Sequence, residues 1–318
     1  MRAILQRGDA LVWADAPDPV TGPGEALVRV RAAGVNRADL AQRAGRYPPP
    51  PGASPILGLE VAGEVIEAPA GSGWRPGDRA CALLAGGGYA ERVAVPARML
   101  MPVPAGLDLV DAAALPEVQL TAFLNVFLEA GLRPGERLLV HGGASGVGTA
   151  AIQQARDASA RVASTSSGAK ADRCAALGAD PALDRRDPDW PDRLRDAWGG
   201  VDVILDMVGA DTAPAAFDLL ATGGRLVWIA ALSGPRVELD VGVMMTKRLT
   251  VKGSTLRSRP LDEKVTLRDA FLARFGAALD AGRIAPVLHE AVPIAEVERA
   301  HELLRANATV GKVVLTLP

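Results

Sequence analysis

Cysteine and histidine are scarce in these 318 residues: two cysteines, Cys81 and Cys174, and three histidines, His141, His289 and His301. Two cysteines so far apart exclude a disulfide framework and a cysteine-rich zinc site. Each fits a small buried apolar side chain. The histidines form no metal-spaced pair, and His141 fits a hydrogen-bonded structural residue. No charge sign dominates: 35 basic against 37 acidic residues leave a net charge of −2. Such a balance gives no global pull toward nucleic acid or an anionic membrane, and no basic patch interleaved with aromatics is present. Long hydrophobic runs are missing too, the longest being broken by Glu117, Glu129, Asp202 or Asp206, so no membrane span is expected. Met1–Asp9 carries charges where a signal peptide needs an apolar stretch, and the expected location is cytoplasmic.

What is present is a globular composition, 49% hydrophobic and 23% charged, in a chain long enough to bury two cores. Its most informative stretch is Leu138-Leu139-Val140-His141-Gly142-Gly143-Ala144-Ser145-Gly146-Val147-Gly148. A short apolar run ends in glycines and opens into the helix-favouring Thr149–Gln154. This is the strand, glycine loop and helix of a dinucleotide-binding βαβ unit. The glycines permit a sharp turn and close approach to a pyrophosphate, and the helix start offers unpaired N–H groups to it. Read as G-x-G-x-x-G, the loop runs from Gly143 to Gly148 with Ser145 in place of the middle glycine; Gly143, Ser145, Gly146, Val147 and Gly148 are the candidate phosphate contacts.

Before residue 114 the pattern is β-rich. Ala26–Ala32 and Glu60–Glu67 alternate, and Gly22-Pro23-Gly24, Pro76-Gly77-Asp78 and Gly86-Gly87-Gly88 mark turns, which suggests a small, partly closed barrel. Beyond it, strands expected at Arg137–His141, Arg161–Ser164, Val201–Asp206, Arg225–Ala230 and Leu249–Gly253 alternate with helical segments such as Ala169–Leu177 and Ala213–Leu220. That alternation implies a doubly wound parallel sheet of the Rossmann kind. Phe271, Phe275 and Leu279 mark one face of a further helix. An amphipathic tail, Ile294–Asn307, precedes a terminal strand at 312–317 and is expected to return to the first domain. The resulting division is 1–113 plus 285–318 for the β-rich domain and 114–284 for the nucleotide-binding domain.

Gly34–Leu40, Tyr47–Ser54, Gly58-Leu59-Glu60, His141–Ile152 and Gly253–Arg259 together resemble the zinc-independent quinone oxidoreductases of the medium-chain dehydrogenase/reductase superfamily, closest to their p53-inducible branch. The resemblance covers essentially the whole chain. It implies an α/β fold, with a GroES-like substrate domain beside the Rossmann domain, and a homodimer formed by edge pairing of the nucleotide-binding sheets. Zinc alcohol dehydrogenases carry Cys where this chain has Asn36 and His where it has Leu59. Of the zinc donors only Glu60 remains, and catalytic zinc needs three. No metal is expected.

The resemblance implies NADPH as cofactor. An NAD site places an acid at the end of the second strand, on the ribose 2′-OH. Here that strand runs into Ser164-Thr165-Ser166-Ser167-Gly168-Ala169-Lys170, with hydroxyls and a cation instead. Ser166, Ser167 and Lys170 are therefore candidates for the 2′-phosphate. Arg185 falls where relatives have a tyrosine near the adenine and can stack there. The family pattern also puts Thr121 toward the cofactor and Lys312 near it. Val208, Gly209, Ala230, Ala231, Leu232, Leu256 and Arg257 follow strand ends on the cofactor side. Arg257 equally fits a salt bridge, and Lys312 a surface strand lysine.

Asn36 and Tyr47 are the catalytic candidates. The Asn36 amide can donate to an acceptor oxygen or orient the nicotinamide, and it also fits a helix N-cap. The Tyr47 phenol can donate to a substrate oxygen while its ring stacks on a quinone, the following prolines stiffening its loop. The expected activity is NADPH-dependent, metal-independent reduction of small quinones by hydride transfer. The alternatives are an enone or 2-enoyl-thioester reductase, and an NADPH-binding sensor with little turnover.

Overall fold

A computed structural model describes all 318 residues, in two compact units. The first comprises Met1–Val118, Leu256–Ala281 and Pro286–Pro318, and the second Gln119–Thr255 with Gly282–Ala285. The boundary lies a few residues beyond the one read from the sequence. Leu256–Ala281 groups with the first unit, where the sequence reading put it in the nucleotide-binding domain.

Along the chain the first unit opens with β1 (Arg2–Arg7) and β2 (Ala10–Asp15), an antiparallel hairpin, then β3 (Glu25–Val35), α1 (Arg37–Arg43), β4 (Glu60–Glu67), β5 (Arg79–Leu83), β6 (Arg92–Pro96), β7 (Leu100–Pro102) and α2 (Leu109–Ala112). The helix α3 (Pro116–Phe123) continues into a π-helical turn at Leu124–Glu129. The second unit then alternates β8 (Arg137–His141), α4 (Gly146–Asp157), β9 (Arg161–Ser166), α5 (Ala171–Leu177), β10 (Ala182–Asp184), α6 (Trp190–Trp198), β11 (Val201–Asp206), α7 (Ala213–Leu219), β12 (Leu220–Trp228), α8 (Val241–Lys247) and β13 (Thr250–Gly253). The chain closes with α9 (Leu261–Asp280), β14 (Leu288–Pro293), α10 (Val297–Arg305) and β15 (Lys312–Thr316).

In the first unit a seven-stranded sheet runs β14-β15-β3-β4-β5-β7, with β6 also on β3. Its strands alternate: Ala26, Val28 and Val30 of β3 are buried while Arg29 is exposed. The tail does return, β15 pairing antiparallel with β3 so that Val313 faces Val35. Ile294, Val297 and Leu304 of the tail are buried on one stripe, and so are Phe271, Phe275 and Leu279 of α9.

The second unit is a parallel six-stranded sheet in the order β10-β9-β8-β11-β12-β13. Counted within the unit this is 3-2-1-4-5-6, the Rossmann order, whose direction reverses between β8 and β11. Strands covered on both faces must be apolar throughout. Leu138, Leu139 and Val140 of β8 and Val203, Ile204 and Leu205 of β11 are accordingly buried. One core packs Leu139, Leu183 and Ile204 against Trp190, Leu194 and Trp198 of α6 and Phe217 of α7. Cys81 and Cys174 are both buried free thiols, as their sequence context led us to expect.

Candidate nucleotide site and a second polar cluster

The glycine loop sits where the strand order reverses, at the carboxyl end of β8. Its glycines are dictated by close packing. A Cβ on Gly143 would lie 2.6 Å from the Ser164 side chain, and one on Gly148 would lie 2.3 Å from the Gly142 carbonyl. Gly142 takes a positive φ of 74°. Ser145 stands where a fingerprint glycine is usual because it caps α4: its Oγ accepts from the Gly148 N–H at 3.0 Å. The Ser145 N–H donates to the Gly142 carbonyl at 2.9 Å. Two of the loop amides named from the sequence are thus spent inside the loop. Gly146 and Val147 open the helix, where N–H groups lack intrahelical partners, and both are partly exposed. This cradle fits a diphosphate. His141 behind it is fully buried, with Nδ1 2.8 Å from Thr165 Oγ1 and its ring edge-on to Trp190. Burial pushes its pKa below the ordinary imidazole value.

At the end of β9, Ser166 is buried with its hydroxyl on the Ser167 carbonyl at 3.2 Å. Ser167 precedes a 3-10 turn, Gly168–Lys170, that carries the half-buried Lys170. Arg185 is exposed, and its N–H donates to the Ser166 carbonyl at 2.7 Å, so the structure brings it beside Ser166, Ser167 and Lys170. After β11, the buried Asp206 carboxylate accepts from Val208 N–H, Gly209 N–H, Thr212 Oγ1 and Trp228 Nε1. The Val208 and Gly209 amides are consequently occupied, and any contact they make to a ligand is through other atoms. Ala230, Ala231 and Leu232 lie exposed beyond β12, while Thr121 is buried in α3.

The first unit holds a separate polar cluster that the sequence did not reveal as one. Lys312 is 4% exposed, and its three ammonium protons go to Val35 O at 2.7 Å, Asn36 Oδ1 at 2.6 Å and Glu60 Oε1 at 2.6 Å. The Asn36 amide donates to Glu60 Oε1 at 2.9 Å, and the other Glu60 oxygen accepts from the Glu117 N–H. Asn36 is also the N-cap of α1, Asp39 accepting its N–H at 2.8 Å. Of the two sequence readings of Asn36 the N-cap position is the one seen, and its side chain is committed to Lys312 and Glu60. Lys312 is neither a surface lysine nor left with a donor for another molecule. The arrangement does not suit zinc: around Glu60 stand Asn36, Leu59 and an ammonium, and the protein has no group of three His, Cys, Asp or Glu able to hold a metal.

Tyr47 is half-buried, and its hydroxyl makes no hydrogen bond within the chain. Burial and the Glu117 carboxylate raise its pKa, against the opposing charge of Arg257. Arg257, 6% exposed, lies over the Tyr47 ring at 5.3 Å. Its guanidinium donates to Ala85 O, Gln42 Oε1 and Tyr47 O. It clamps loops of the first unit, and Leu256 beside it is buried. These two residues follow β13 in the chain and group with the first unit. Behind α1, Asp39 is fully buried and accepts from Gly58 N–H and Tyr89 Oη. Desolvation pushes its pKa up to about 6. A cavity of about 140 Å³ in this unit, lined by Cys81, Met101, Leu115 and Phe271 among others, touches none of the candidate residues.

Residues 22–105 match the alcohol dehydrogenase GroES-like domain, and residues 146–271 the zinc-binding dehydrogenase domain. The chain is 33% identical over 310 residues to a quinone oxidoreductase of Lama guanicoe, covering 95% of this chain and 92% of that one. It is 35% identical to the spectinabilin polyketide synthase system protein NorB of Streptomyces orinoci; the match takes in 98% of this chain but spans only 14% of that relative's length. Among solved structures, the quinone oxidoreductase of Thermus thermophilus, also solved in complex with NADPH, superimposes over the full length of both chains with a TM-score of 0.85 at 38% identity. No helix is long and apolar enough to cross a membrane. The chain belongs to the medium-chain dehydrogenase/reductase superfamily, a GroES-like unit and a Rossmann unit in one polypeptide, with quinone oxidoreductases among its relatives.

Proposed function

We propose that this protein is an NADPH-dependent quinone reductase that works without a metal. The observation that carries the reading is the glycine cradle at the reversal of strand order, with the Gly146 and Val147 amides heading α4. Ser166, Ser167, Lys170 and Arg185 supply hydroxyls and cations suited to a 2′-phosphate. Bound NADPH supplies the hydride.

The chain's own task is to orient the acceptor, exclude water and steady the negative charge that grows on the acceptor oxygen. Tyr47 suits it: its hydroxyl is unengaged, and its raised pKa keeps the phenol protonated as a donor. Arg257 fixes its ring and loop. Asn36, held by Lys312 and Glu60, sets the start of α1. A quinone suits this modest donor set, because hydride addition yields an aromatic hydroquinone and needs little acid catalysis, one proton being taken up from solvent. The match to a polyketide synthase system protein favours one alternative, reduction of an enone or 2-enoyl thioester. An anaerobic panel separates them. Faster NADPH oxidation by benzoquinone and naphthoquinone supports the quinone reading; turnover confined to crotonyl-CoA or alkenals overturns it.

A second copy of the chain is the proposed partner. β13 is one of the two edges of the parallel sheet. Beside it in sequence α8 buries no residue, leaving Val241 62% and Met245 70% exposed, a surface natural proteins seldom leave uncovered.

A further inference from the structure

The end of β9 lacks an acid in sequence but not in space. β10 pairs parallel with β9, setting Asp184 opposite Ser166. The Arg185 N–H locks the two strand ends together at 2.7 Å from the Ser166 carbonyl. From there the Asp184 carboxylate reaches over the turn that follows β9. Its Oδ2 lies so close to Gly168 that a Cβ there would come within 2.4 Å of it. A larger residue at 168 would crowd this carboxylate where it now lies. Asp184 is half-buried; its carboxylate accepts from the Arg186 N–H at Oδ1, 3.0 Å away, and forms no ion pair. Arg185 and Arg186 are exposed, and neither is ion-paired with it.

An acid at the end of the second strand of such a unit accepts the ribose 2′-OH of NADH and repels the 2′-phosphate of NADPH. Here the acid comes from the neighbouring strand, and it shares the turn with Lys170, a cation of the opposite preference. We infer that Asp184 sets cofactor selectivity: it admits NADH beside NADPH and narrows the advantage that Lys170 and Arg185 give to the phosphorylated form. The inference rests on the nicotinamide reading of the site.

The test is equilibrium titration of the purified full-length chain with NADPH and with NADH, followed by tryptophan quenching, for wild type and Asp184→Asn. Asparagine keeps the oxygen that accepts from Arg186, so the turn is preserved, and an unchanged melting temperature checks this. The expected result is binding of both dinucleotides by wild type and a shift of the affinity ratio by about tenfold toward NADPH in D184N. Lys170→Ala should move the ratio the other way. An unshifted ratio in D184N, with both dinucleotides bound, would overturn this inference and leave the nucleotide reading standing. Failure of wild type to bind either one would overturn both.

Discussion

Among single residues, Lys312 departs furthest from its sequence reading. Its run, Lys312-Val313-Val314-Leu315-Thr316, is that of any half-buried strand. Nothing in that run signals that Glu60, far upstream, will meet it. Only the pairing of β15 with β3 brings Lys312 against Val35 and Asn36. Asn36 was legible as a cap and as a candidate donor, because a polar residue ahead of a helix fits both; its commitment to Lys312 and Glu60 was not legible. The two catalytic candidates should therefore behave differently. Tyr47→Phe should lower quinone turnover and leave NADPH affinity and stability intact. Asn36→Ala removes a partner from both buried ions and should cost about 1–3 kcal/mol of stability by urea unfolding, with turnover falling as well. Unchanged kcat in Tyr47→Phe would remove the phenol from the site.

At the scale of elements, the legible ones were those whose pattern follows from burial. β8 and β11 begin and end at their expected residues because both faces are covered and the runs are apolar. β10 escaped notice: three residues at a sheet edge have no periodicity to read. The packing of α10 behind α1 was equally hidden, and it has a pH consequence. Asp39 of α1 and His301 of α10 both contact the Tyr89 hydroxyl, at 3.0 and 3.5 Å. Asp39 is raised to about 6, so its contribution is full below the unfolded value near 4 and is lost as pH rises through 6. His301 is lowered to about 4 by burial, with Arg43 and Arg305 adding to that and Glu298 opposing it. Its contribution is full above about 6.5 and is lost as pH falls through 4. The two effects oppose each other between pH 4 and 6.5, each worth about 3 kcal/mol at its full extent. In His301→Gln the Asp39 dependence stands alone. Relative to wild type, the variant should then lose about 3 kcal/mol between pH 4 and pH 6.5 in urea unfolding. A variant-to-wild-type difference independent of pH would contradict this assignment.

For the whole molecule, the two-unit α/β organisation and the returning tail could be read from the change of rhythm near residue 114 and from the closing strand. The affiliation of α9 could not. Its apolar stripe of Phe271, Phe275 and Leu279 states that one face is buried but not against what. The proposed dimer belongs to this scale as well. Replacing Val241 and Met245 by glutamate places charge on the exposed face of α8 and should convert a dimer to a monomer in sedimentation velocity. A wild-type chain that already sediments as a monomer would refute that assembly.

The central claim is that the cradle at Gly146 and Val147 holds a reduced dinucleotide for hydride transfer that needs no metal. Its most direct measurement is anaerobic oxidation of NADPH by benzoquinone with protein exhaustively treated with a chelator. The account predicts full turnover, unaltered when zinc is added back. Activity that disappears on chelation and returns with zinc, or a chain that neither binds nor oxidises NADPH, would contradict it.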